Sequence, residues 1–287
     1  MVISNKTKGI FWMLISVLGF TFMGIAVKYL PRIPTYEKVF FRNSVSFISS
    51  AYILYRQKES IKVAKENIPF VFGRSFFGFV GMVANFYALE NLTMAEANML
   101  NKLSPVFVTI CACIFLKEKV DKKQVMGIIL MLVAVVFVIK PSFSPEVIPS
   151  LAGLFSAVLA GFSYTIIRYL YGKVKAEINV FYFSLLSVVC TFPLMIMNFV
   201  KPNLFEILML VVGIGVSAAM GQFGLTYAYT FAPASEVSIY NYVIIITSML
   251  MDYILFSTIP DLFSFIGGLI IIITAIYLYL HTKKKKE

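Results

Sequence analysis

Short breaks carrying charge, proline and turn residues cut this chain into apolar blocks of roughly 20 residues, a spacing that allows few folds. The first block, "GIFWMLISVLGFTFMGIAVKY" from Gly9 to Tyr29, sets the pattern. At 1.5 Å per residue, a helix of about 20 residues crosses the ~30 Å hydrocarbon core of a bilayer. Ten such blocks are placed at 9–29, 39–55, 68–89, 95–116, 123–139, 150–171, 179–199, 205–231, 234–256 and 260–280. Of the 287 residues, 60% are hydrophobic and 14% charged, too little polarity to cover a water-soluble domain. In lipid the backbone must satisfy its own hydrogen bonds, which selects helices. The expected fold class is all-α integral membrane, with ten transmembrane helices.

A net charge of +11 raises the question of nucleic acid, but the charge sits in the breaks, where membrane proteins place positive cytoplasmic loops. With the N-terminus inside, the outer side receives five cations: Lys28, Arg32, Lys38, Lys140 and Lys201. The inner side receives sixteen: Lys6, Lys8, four in Arg56–Lys65, four in Lys117–Lys123, Lys173, Lys175 and Lys283–Lys286. Both termini are therefore expected in the cytoplasm, the bilayer of the cell membrane is the partner, and no nucleic acid is. Lys6 and Lys8 precede a first block too long for a signal core, so it reads as a retained span. Cys111, Cys113 and Cys190 all lie inside apolar blocks, giving neither a disulfide framework nor metal spacing. The single histidine, His281, follows the last block. No metal, cofactor or nucleophile–base pair is implied, and an intramembrane enzyme is the disfavoured alternative.

Shifting the chain by 140 residues superposes Gly73 on Gly213, Gly81 on Gly221, Tyr87 on Tyr227, Glu96 on Glu236, Asn101 on Asn241, Asp121 on Asp261 and Gly127 on Gly267. These include rare polar residues near the starts of equivalent blocks. Five spans per half is odd, so the halves, 1–145 and 146–287, enter the membrane from opposite sides. The prediction is two inverted five-helix repeats, an arrangement in secondary transporters that puts the substrate site near the midplane.

The candidate site starts from "AEANMLNKLSPVF", Ala95–Phe107. On one continuous helix Asn98, Asn101, Lys102 and Pro105 share a face. Lys102 facing lipid would cost on the order of 3 kcal/mol or more, so that face should line a wet cavity. Pro105 can loosen the preceding turn and free its carbonyls. Ser238, Asn241 and Tyr242 occupy the matching face of the ninth block. Glu96 and Glu236 open equivalent helices, either as first-turn stabilisers or as cation- or proton-binding carboxylates. Asn85, Tyr87, Tyr164, Gln222 and Tyr227 complete the candidate substrate-binding set. Arg42, Arg74 and Arg168, a few residues from block ends, read as interfacial anchors. The small-residue stripe Gly213, Ser217, Gly221, Gly224 and Ala228 reads as close helix packing.

The segment "YALENLTMAEANMLNKLSPVFVTICACIFLKEKVDKKQVMGIILMLVAVVFVIKP", with its two halves of five spans, resembles the drug/metabolite transporter superfamily, specifically its EamA-type family. The resemblance rests on Ala88-Leu89, Ala95, Ala97, Pro105, Glu118 and Gly127; in the second half Ile245 and Thr258 depart from it. It implies transport of a small metabolite through a central cavity lined by spans one, three, four, six, eight and nine. Lys102 together with Glu96 and Glu236 suggests a zwitterionic, amino-acid-like substrate. Coupling to a proton or a counter-substrate is left open, and a passive channel is the alternative.

Overall fold

The computed structural model describes residues 5–115, 117, 121–139, 147–231 and 237–284, and among these every regular element is helical. Spans one to three are α1 (Asn5–Lys28), α2 (Thr35–Arg56) and α3 (Ile68–Asn91). The fourth comprises two helices, α4 (Met94–Asn101) and α5 (Ser104–Phe115), and the fifth is α6 (Lys122–Ile139). Then follow α7 (Val147–Leu170) and α8 (Ala176–Met197). The eighth span opens with α9 (Leu204–Leu208), widens into a π-helical stretch over Met209–Val216 and continues as α10 (Ser217–Phe231). The ninth opens with a 3₁₀ turn, Ser238–Tyr242, before α11 (Val243–Phe256), and α12 (Leu262–Lys284) is the tenth.

Nine of these spans are long and apolar enough to cross a membrane. The other, α2, is as long but buries Glu37, Lys38, Arg42 and Asn43. Several helices start where the sequence supplies an acceptor for their orphan N–H groups. Thr93 and Glu96 form a capping box on α4, Asn203 and Glu206 one on α9, and Asp121 and Gln124 exchange the same pair of bonds at α6.

Two expectations about span four need correction. It is not one helix: α4 ends at Asn101, Lys102 and Leu103 form a turn, and α5 starts at Ser104. Asn98 and Pro105 therefore do not share a continuous face. The proline sits in the first turn of α5, where its missing N–H costs nothing. The equivalent place in span nine, 140 residues on, is also irregular: α11 begins only at Val243, after the 3₁₀ turn.

The packing has the predicted symmetry. Span one lies along eight and span three along six, pairs that interchange when every span is swapped for the one five places on. The contacts of two with eight and of three with seven interchange likewise, while two with seven, four with nine and five with ten map onto themselves. The α1–α10 contact is close because it is built from small residues: a Cβ at Gly19 would lie 2.6 Å from the Gly221 nitrogen, and one at Gly224 would lie 2.9 Å from the Ser16 nitrogen. Ser16 Oγ then donates to the Gly221 carbonyl at 2.7 Å. The small-residue stripe of span eight is thus a packing surface.

Candidate functional site

Between the two groups of five spans lies a cavity of about 140 Å³. One stripe of α3 forms its longest wall: Arg74, Gly78, Gly81, Met82, Asn85 and Leu89 follow helical spacing. α7 faces it with Ser156, Ala160, Ser163 and Tyr164, while α1 gives Phe20 and Met23, and α10 gives Gln222 and Leu225. Asn98, Asn101 and Lys102 come from the broken span four and Asn241 from the 3₁₀ turn of span nine. Spans one, three, four, six, eight and nine all contribute, as expected. Arg42 of α2 and Phe183 of α8 add two walls that the sequence reading lacks.

The polar groups of spans four and nine are engaged across the middle of the molecule. Lys102 Nζ donates to Asn241 Oδ1 at 3.1 Å, and Tyr242 reaches the Lys102 carbonyl at 3.5 Å. Asn98 Nδ2 donates to Ser248 Oγ and to the Met94 carbonyl, both at 2.9 Å. Asn101 Nδ2 makes a long bond of 3.4 Å to Ser156. Lys102 and Asn241 also line a second cavity, of about 280 Å³, with Pro105, Thr109, Gln124, Tyr242 and Tyr279. Their bond therefore stands where the two cavities meet.

Of the twelve candidate residues, Asn85, Asn98, Asn101, Lys102, Tyr164, Gln222 and Asn241 come together in the central cavity. Three others are placed elsewhere. Glu96 closes the capping box on Thr93 and accepts from Ser264 Oγ at 2.7 Å, away from the cavity wall, because the first turn of α4 needs it. Tyr87, on α3, is exposed and is not part of the cavity wall. Tyr227 packs against Trp12 with ring centroids 5.1 Å apart. Glu236, the Ser238 side chain and Glu118 lie outside the described residues.

Arg42 and Arg74 are not interfacial anchors. They are 6% and 4% exposed, and both guanidinium groups sit over the Phe183 ring, 5.5 and 4.3 Å from its centroid. Gly78 makes room, since a Cβ there would meet Arg74 Nη1 at 3.0 Å. Arg42 Nη1 donates to Asn43 Oδ1 at 2.8 Å, but Arg42 Nε, Arg74 Nε and Arg74 Nη1 are buried without a hydrogen-bond partner. Nearness to a span end gives depth; it does not give the face. The available signal was the step of four from Lys38 through Arg42, Ser46 and Ser50, all buried on one stripe of α2.

Asp252 is the other residue missed. It is fully buried in α11 and accepts from the Met94 and Ala95 N–H groups at 3.1 and 2.9 Å. Thr93 takes the Glu96 N–H and Glu96 the Thr93 N–H, so all four orphan donors of α4 are satisfied, two of them from the other half of the molecule. Around the same end, Arg32 pairs with Glu206 at 2.5 Å and Glu37 accepts from the Val200 N–H at 2.9 Å, again between halves. Lys38 pairs with Glu90 at 2.8 Å within the first half.

The EamA-like transporter family matches this chain twice, over residues 7–140 and 148–280. The chain belongs to that family. The pseudopaline exporter CntI of Pseudomonas aeruginosa is 28% identical over 99% of this chain and 100% of its own length. The S-adenosylmethionine uptake transporter of Rickettsia bellii is 27% identical over 96% of this chain and 94% of its own. A solved crystal structure shares the fold with a TM-score of 0.69 at 18% identity, covering 98% of this chain and 99% of that one. As a member of the EamA-like transporter family, this is a multi-pass membrane protein and a transporter, not an enzyme. Each copy of the family match contains one of the paired irregular stretches, the turn at Asn101–Ser104 and the 3₁₀ turn Ser238–Tyr242, and the cavity lies between the copies.

Proposed function

We propose that the protein is a secondary transporter that moves a small organic metabolite across the cytoplasmic membrane by alternating access. Residues 1–145 and 146–287 are the two units that rock against each other, and both termini are cytoplasmic. The observation that carries this reading is the polar cavity between the units, walled by the break in span four and, at the equivalent position, by the 3₁₀ turn of span nine. Irregular backbone at membrane depth is tolerated only where it is buried in protein or lines a cavity.

The two ends of the molecule differ in a way that suits this mechanism. Near the 29–34 and 198–203 connections, bonds through Asp252, Arg32 and Glu37 clasp the units together. Toward the opposite end the units are joined instead by the Lys175–Glu59 and His281–Asp121 pairs, and there lies the second cavity, which meets the first at the Lys102–Asn241 bond. The position equivalent to Asp252 is Ala112, which cannot make the same clasp. One of the two similar proteins is named an exporter and the other an uptake transporter, so the direction of transport is not carried over. The test is counterflow. Proteoliposomes loaded with a bacterial metabolite extract should release particular compounds saturably, and faster when the same extract is outside. Release linear in concentration with no acceleration would mean a pore.

A further inference from the structure

We propose that the central cavity binds a small organic anion with two or more separated carboxylates, held between the Arg42–Arg74 pair and Lys102. This rests on the transporter reading and names the class of its substrate.

Charge is the first ground. Three cations line the cavity, and among the described residues no Asp or Glu does. Burying an unpaired cation costs several kcal/mol even after relaxation, and three in one enclosure also repel one another. Among the described residues outside the cavity, Glu96 and Asp252 serve the start of α4, Glu206 pairs with Arg32, Glu90 pairs with Lys38, and Glu37 accepts from the Val200 N–H. Within the described cavity wall, the countercharge has to come from the ligand.

The unpaired atoms say more. Arg42 Nε, Arg74 Nε and Arg74 Nη1 are donors without acceptors, and both guanidinium groups lie over the Phe183 ring. Planar, pre-oriented N–H pairs match a carboxylate, which can accept two of them at once. Lys102 lies at another part of the wall, at Asn241 and the mouth of the second cavity, which neither arginine lines. Cations at two places suit an extended ligand with an acid group at each, better than one compact anion. On the same cavity wall, Asn85 Oδ1 is a buried acceptor with no partner. It asks for a hydroxyl or amine N–H on the ligand, so the expected molecule is a hydroxy- or amino-polycarboxylate. An acidic, amine-bearing compound keeps the amino-acid-like character read from the sequence but changes its balance to net negative.

The experiment uses the full chain in lipid nanodiscs, with thermal unfolding and calorimetric binding as readouts. Citrate and iminodiacetate should stabilise the protein, acetate and inorganic phosphate much less, and putrescine not at all. R42Q and R74Q should each weaken citrate binding at least tenfold. Because each removes an uncompensated buried charge, the empty variants should melt no lower than the parent, an outcome a purely structural arginine would not give. Equal stabilisation by phosphate or putrescine, no response to citrate or iminodiacetate, or unchanged citrate affinity in both variants would each overturn the proposal. Counterflow separates this from the broader reading. Saturable exchange of neutral or cationic metabolites without a citrate response removes the anion class alone. Citrate binding that passes these tests, without exchange of any compound, removes transport and leaves the site.

Discussion

Lys102 shows how one side chain can be read correctly for depth and incompletely for partner. Its sequence position puts it far from any polar surface, and the structure does place it at a cavity, but its partner is the neutral Asn241 and not a carboxylate. A charged donor on an amide acceptor is a weaker match than an ion pair, so the lysine remains available to an incoming acid. Asn241→Asp would supply that acid permanently. The expected result is a higher melting temperature for the empty protein and citrate binding weakened by about tenfold or more, which is about 1.4 kcal/mol. Calorimetry on the parent and the variant checks it, and unchanged affinity would show that Lys102 is not a ligand contact. The arginines teach the complementary lesson. Arg42 and Arg74 lie near span ends in sequence, yet their side chains meet on a ring donated by a third helix. Phe183 itself, one of 28 phenylalanines, carries nothing in the sequence that marks it.

At the scale of elements, the spans were readable because hydrophobic length is a local property. The break in span four was half readable: Pro105 announced a disturbance, but its position in the first turn of α5, after a turn at Lys102–Leu103, depends on how α4 is held at its other end. That holding is the work of Asp252, a lone acid in "SMLMDYILF" whose meaning appears only when α4 is laid beside α11. Asp252→Ala would leave two buried N–H groups without acceptors, at about 1–3 kcal/mol each. A buried helix start cannot keep such groups dry, so the expected response is separation of α4 and α11 at that end. A cysteine at Gln222, on the cavity wall, should then react faster with an impermeant thiol reagent supplied from the Met94 side, against a background lacking Cys111, Cys113 and Cys190. Equal rates with and without the substitution would mean that the clasp does not control access.

For the whole molecule, the proposed orientation, with both termini cytoplasmic, rests on the partition of sixteen cations against five. An Asn91→Cys variant, in the turn between spans three and four, should be labelled by an impermeant reagent in intact cells. Protection until lysis would invert the assignment. The two copies of the family match also divide their labour unevenly. Arg42, Arg74 and Lys102 all belong to the first, whereas the second offers the cavity Ser156, Ser163, Tyr164, Phe183, Gln222 and Asn241, none of them charged. This matters electrically. If access alternates around those three cations, an empty site returns across the membrane's field carrying excess positive charge, while one filled by a dianion or trianion carries little or none. Each full charge moved through 100 mV is worth about 2.3 kcal/mol. The hypothesis that follows is a carrier whose one-for-one anion exchange is nearly indifferent to membrane potential, while its net flux is not. Citrate fluxes in proteoliposomes under an imposed potassium diffusion potential would measure that difference, and a net flux unmoved by voltage would mean that the cavity's charge is compensated from elsewhere.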